Sequence, residues 1–278
     1  MLGGLEHPTI VGPSHHARAA RPLPDPLAAW PFIADPWFYL LAVPAVLLMG
    51  LGKSGFLSGF GALATPLLSL MVPVPQAAAI MLPLLLVMDA TGLQQLWRER
   101  DRVLLRQLLP AGLLGVGVGT LLFGVLSTRA VSGLVGALTL LFLAQRLLFP
   151  PTAAAPPLPR WAAFGLATTS GFTSFVVHAG SPPLNVYLLP LRLKPITFAA
   201  TSAVFFAAVN LAKWLPYAWL GLIDRTNLGT SVLLLPLAPL GVWLGVWMAR
   251  RIHARWFYMV AYSGMFLTGA KLLWDGLR

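Results

Sequence analysis

The chain has 278 residues, 58% hydrophobic and 10% charged, with a net charge of +11 and a mean hydropathy of +0.79. Soluble domains carry about 25% charged residues, so this composition excludes a solvated globular surface and points to an integral membrane protein. The lack of cysteine excludes disulfides, zinc–thiolate and iron–sulfur sites and thiol catalysis.

Residues 1–35 are Pro-rich and read as a disordered tail. They contain no apolar run of secretory-signal type, and His15-His16 lacks the partners a metal site needs. After Pro36 the chain is nearly charge-free, with only Lys53 and Asp89 charged between Trp37 and Trp97. Further apolar segments run roughly over 103–126, 130–149, 161–191, 196–220, 227–249 and 256–275, each long enough for a bilayer core that needs about 20 residues. Arginine-bearing joints separate them, and the five prolines of 150–159 mark a linker. The basic residues lie mostly in these joints, where they orient a membrane protein and do not signal nucleic acid.

Two segments are interrupted. Gly52-Lys53-Ser54-Gly55 through Gly61 breaks the first, and Ser170-Gly171 through Pro182-Pro183 breaks the segment starting at Trp161. Gly and Pro at this density stop a continuous helix, and irregular backbone at membrane depth is tolerated where it is buried in protein or lines a cavity. The breaks match each other: Ser54-Gly55-Phe56-Leu57-Ser58 with Ser170-Gly171-Phe172-Thr173-Ser174, and Thr65-Pro66 with Ser181-Pro182. Asp89 then matches Asn210, Asp101-Arg102 matches Asp224-Arg225, and Gly115, Gly119 and Arg129 match Gly241, Gly245 and Arg255. Two homologous halves follow, 36–149 and 160–278.

Loop charge relates the halves. The joint at 98–106 is rich in arginine while its mate has only Arg225; the next joint has only Arg129 while its mate has Arg250, Arg251 and Arg255. Since Lys and Arg favour the cytoplasm, equivalent loops lie on opposite sides, as in inverted repeats. Each half then needs a broken first element folding back as a hairpin before three full spans. Four plain crossings per half is the alternative. The expected fold is an all-α polytopic bundle of about eight hydrophobic segments in two inverted halves, with loops 98–106, 146–160, 192–195 and 250–255 cytoplasmic.

Chemistry concentrates at the breaks. A lysine at membrane depth costs about 2.5–3.5 kcal/mol on insertion scales, and Lys53 beside free backbone N–H groups makes an anion site, with Ser54, Ser58 and Thr65 adding hydroxyls. The alternative for Lys53 is snorkelling to the interface. The second break offers Ser170, Thr173, Ser174, His178, Ser181 and Asn185 as donors, His178 also being able to carry a proton. Asp89 is a proton or ion-pair candidate. Its mate Asn210 is followed one turn later by Lys213, which suggests a buried Asp89–Lys213 pair, with snorkelling again the alternative for Lys213. Paired small residues such as Gly115, Gly119, Gly241 and Gly245 let helices pack closely.

Together, Gly52-Lys53-Ser54-Gly55-Phe56 with Gly59, Gly61, Pro66 and Asp89, His178-Ala179-Gly180-Ser181-Pro182-Pro183 with Val186 to Pro190, and Ala200-Thr201-Ser202-Ala203 with Asn210 and Leu235 to Gly241 resemble the TauE/SafE sulfite-exporter family over about 37–277. The resemblance implies a bacterial inner-membrane, multi-pass secondary carrier of sulfite, organosulfonates or related anions. A passive anion channel, or a carrier of other small organic anions, is the alternative. With no Cys, five scattered His and no paired His-Glu or Glu-Glu spacing, the chain reads as no enzyme. The expected binding residues are Lys53, Ser54, Ser58, Thr65, Ser174, His178, Ser181 and Asn185; the expected coupling residues are Asp89, His178, Asn210 and Lys213. No metal or cofactor is expected. The partners expected are the small anion and the lipid bilayer, without nucleic acid, and a homodimer is left open.

Overall fold

The computed structural model describes residues 31–53, 60–149, 158–249 and 254–278. The tail up to residue 30, the first break with Ser54 and Ser58, and most of the linker therefore lie outside the described residues. Pro31–Asp35, placed in the tail by composition, instead join the bundle: the Ile33 amide donates to Thr230 Oγ1 at 3.0 Å and the Tyr39 hydroxyl donates to the Ile33 carbonyl at 2.7 Å.

The described residues form helices and no strand. Before residue 150 come α1 (Pro36–Lys53), α2 (Ala64–Leu68), α3 (Val74–Leu96), α4 (Arg102–Val125) and α5 (Thr128–Leu148). After it come α6 (Arg160–Val177), α7 (Ser181–Leu188), α8 (Pro195–Ala212), α9 (Trp214–Trp219), α10 (Arg225–Leu234), α11 (Leu237–Ala249) and α12 (Ala254–Leu277). Among the described residues five stretches are long and apolar enough to cross a bilayer: 36–53, 74–94, 102–125, 128–145 and 195–219; α10 with α11, bent by 45°, would make a sixth.

Local sequence sets the ends. Asp101 caps α4 by accepting from the amides of Val103 and Leu104, Ser127 caps α5 and Asp224 caps α10. The second break is narrower than the Gly/Pro content suggests. α6 runs through Ser170-Gly171 and stops at His178, which is left-handed at φ 57°, a costly conformation for a non-glycine residue. The amide of His178 donates to the Ser174 carbonyl and that of Ala179 to the Thr173 carbonyl, a Schellman-type end. The helix restarts at Ser181, the first residue of α7, with Pro182 and Pro183 following in its first turn, where a missing N–H is harmless.

Contacts fix the helix directions. α4 and α6 run parallel: Gln107 donates to the Arg160 carbonyl near their starts, and Gly115 and Gly119 face Phe172 and Phe175 further along. α8 is parallel to α4, since the Asp101 amide donates to Thr201 Oγ1 at one end and Gly112 faces Phe205 and Val209 beyond it. α3 is antiparallel to α8: its C-terminal end leads to Asp101 beside Thr201, while Asp89, earlier in α3, meets Asn210, later in α8. α5 and α12 are antiparallel as well, with Gly133 against Gly276 and Leu140 against Gly269. α1 runs with α10 and α11, from Ile33 at Thr230 to Gly50 at Gly241.

Two consequences position the site. α6 and α8 point the same way although only α7 and a short turn separate them, so the chain doubles back between them. The starts of α4, α6 and α8 gather at one end of the bundle with Arg98, Arg100, Arg102, Arg106, Arg160 and the Arg192–Lys194 joint. Of the glycines expected to allow close packing, Gly115, Gly119 and Gly241 do so, while the surroundings of Gly245 lie outside the described residues. A Cβ on Gly115, as on Gly171, would collide with the backbone of the facing helix, one on Gly119 would meet the Phe175 ring, and one on Gly241 would press on Leu47 and Gly50.

Candidate functional site

Polar groups inside the bundle form one chain of hydrogen bonds. Lys53, the last residue of α1, forms an ion pair with Asp89 Oδ1. Asn210 Nδ2 donates to Asp89 Oδ2 at 2.6 Å. Its amide oxygen accepts from Lys213 Nζ at 2.8 Å. Lys213 Nζ also reaches the Ser174 carbonyl at 2.6 Å, Ser174 Oγ at 2.8 Å and His178 Nδ1 at 3.0 Å. His178 Nε2 lies 2.9 Å from the Ala78 carbonyl.

The acceptors dictate the protons. The Ala78 carbonyl can only accept, so Nε2 carries hydrogen and Nδ1 offers its lone pair to Lys213. The expected Asp89–Lys213 ion pair is corrected here: the carboxylate pairs with Lys53, and Lys213 connects to it only through Asn210. The four-carbon stem of Lys53 reaches Asp89 from the end of α1, while Lys213 turns back toward α6. Neither lysine snorkels as the alternative reading had it. Lys213 is 0% exposed, and the Lys53 side chain, 19% exposed, faces two cavities.

The smaller cavity is about 30 Å³, measured as space open to the centre of a water molecule; its lining includes Met49, Lys53, Ser174, His178, Ser181 and Asn210. The larger, about 110 Å³ on the same measure, is lined by residues including Lys53, Asp89, Ser181, Asn185, Ser202 and Phe206. Lys53, Ser181 and Phe206 border both. The Lys53 ammonium stands 5.3 Å from the centre of the Phe206 ring, within cation–π range. The larger cavity follows α3 to Leu96 and α8 back to Phe198, toward the arginine-rich end.

Of the expected binding residues, Lys53, Ser174, His178, Ser181 and Asn185 thus converge on the cavities, as do the coupling candidates Asp89 and Asn210. Lys213 lies behind them as a buried support. Thr65 is buried in α2 and borders neither cavity among the described residues. Ser54 and Ser58 lie outside the described residues. Ser170 and Thr173 are not free donors: Ser170 Oγ donates to the Gly180 carbonyl at 2.7 Å and Thr173 Oγ1 to the Ala179 carbonyl at 3.0 Å. Both carbonyls belong to the joint between α6 and α7, which these hydroxyls tie back onto α6.

Sequence reasoning missed Phe206 and Ser202. Both precede Asn210 by whole helical turns, on one face of α8, and that spacing was the available signal. Ser202 Oγ is buried with no hydrogen-bond partner among the described residues. The described residues contain no cluster of three or more His, Cys, Asp or Glu able to hold a metal.

The family model for the sulfite exporter TauE/SafE matches residues 42–272. No curated protein and no solved structure matches the chain. The family match covers most of the chain, so the protein belongs to the TauE/SafE sulfite exporter family. Membership together with the long apolar helices makes it a multi-pass membrane transporter of sulfur compounds.

Proposed function

We propose that this member of the sulfite exporter family is a secondary carrier of small sulfur oxyanions, sulfite or organosulfonates, across the bacterial inner membrane. The carrying observation is the cavity pair at the helix breaks, bordered by Lys53 and backed by Lys213, with Asp89 the only acid beside them among the described residues. Surplus positive charge in a low-dielectric interior favours an anion. Ser181, Asn185 and Ser202 supply neutral donors that let it leave again. Asp89 and His178 are the groups that would hold a coupled proton.

Alternating access would run between two inverted halves, 36–149 and 160–278. Antiparallel packing of the matched pairs α3/α8 and α5/α12 supports this. Two equivalent helices that cross a membrane antiparallel are related by an axis in its plane. Each half then comprises a folded-back first element and three spans, and the arginine-rich end is cytoplasmic.

Counterflow tests the reading. Proteoliposomes preloaded with sulfite and given a trace of labelled sulfite outside should accumulate label above equilibrium before it decays. Label that only equilibrates, or no flux, would overturn the carrier assignment.

A further inference from the structure

We propose that Asp89 sets the charge of the cargo, so that the site takes an anion with one negative charge in preference to one with two. This deepens the anion-carrier reading and rests on it.

The charges around the cavities can be counted. Among the described residues, the groups lining or directly backing them include three ionic side chains, Lys53, Asp89 and Lys213, and one imidazole, His178. Lys213 faces three groups that can only accept: the Ser174 carbonyl, the Asn210 amide oxygen, whose nitrogen is committed to Asp89, and His178 Nδ1. Three obligate acceptors match the three hydrogens of an ammonium, and a neutral amine would leave one unpaired. Were that proton to pass to His178 Nδ1, the pair would still carry a single charge.

Lys53 and Asp89 cancel in direct contact. The site therefore holds one surplus positive charge. A monoanion beside Lys53 brings the region to neutrality, whereas a dianion leaves an excess negative charge in a poorly screened site. Asp89 is the acid that keeps the surplus at one. Its matched position in the second half is the uncharged Asn210, so the balance rests on one carboxylate.

Methanesulfonate and sulfate share a tetrahedral shape and differ by one charge, which makes them the probes. Thermal-shift titration of the purified full chain at fixed pH should give tighter binding of methanesulfonate. Asp89→Asn raises the surplus to two and should move the affinity ratio toward sulfate by about tenfold or more. Asp89→Glu keeps the charge and should keep the original preference.

Asn210→Asp serves as a second variant should Asp89→Asn fail to fold. It lowers the surplus to zero and should weaken methanesulfonate binding by about tenfold. Wild-type preference for sulfate, or an affinity ratio unmoved by these variants, overturns the proposal and leaves the anion carrier standing. No response of the wild type to either anion overturns both.

Discussion

Asn210 ties Asp89 to Lys213: its nitrogen donates to the carboxylate at 2.6 Å and its oxygen accepts from the ammonium at 2.8 Å. One amide thus serves two buried charges, one on α3 and one at the joint between α8 and α9. Asn210→Leu, close in size, leaves Asp89 and Lys213 each short of a partner. It should destabilise the protein by about 2–5 kcal/mol, read from thermal unfolding in detergent. A loss below about 0.5 kcal/mol, the scale of an ordinary surface change, would contradict this role.

Two glycines of α6 should respond differently to the same substitution. A side chain on Gly171 would collide with the Gly112 backbone, whereas Gly165 has nothing within 4 Å. Gly171→Ala should separate α4 from α6 and cost about 1–3 kcal/mol. Gly165→Ala should be neutral or stabilise by up to about 1 kcal/mol, because alanine loses less backbone freedom in a helix. Thermal midpoints of the two variants check this, and equal effects would show that the close approach is unimportant.

Much of the site was legible in the sequence because charge is so rare in it. Lys53, Asp89 and Lys213 stand out in apolar runs, and the matching of the two breaks sets Asp89 opposite Asn210. Which lysine meets the carboxylate was not legible. Both have long flexible stems, and only the placement of the end of α1 decides. Hydroxyls misled for another reason. Ser170 and Thr173 have the composition of a binding site, yet the Gly180 and Ala179 carbonyls in the buried joint between α6 and α7 need donors, and these two hydroxyls are spent on them. Phe206 went unnoticed because an aromatic residue in an apolar helix carries no signal until its neighbours are known.

The proposed opposite orientation of the halves makes a labelling prediction, and the lack of cysteine gives a clean background. Glu99 and Thr226 lie in matched joints and are exposed. Single variants Glu99→Cys and Thr226→Cys in intact cells should react with a membrane-impermeant thiol reagent from opposite sides, Thr226→Cys from outside. Labelling of both from one side would contradict inversion.

On the proposed reading the transported anion is held in direct contact with the Lys53 ammonium. Sulfite binding to purified wild type and Lys53→Ala, measured as thermal stabilisation, tests it most directly. At a sulfite concentration about 100 times the dissociation constant, the wild type should gain about 2.7 kcal/mol and Lys53→Ala should gain nothing measurable. An equal gain in both proteins would contradict the account.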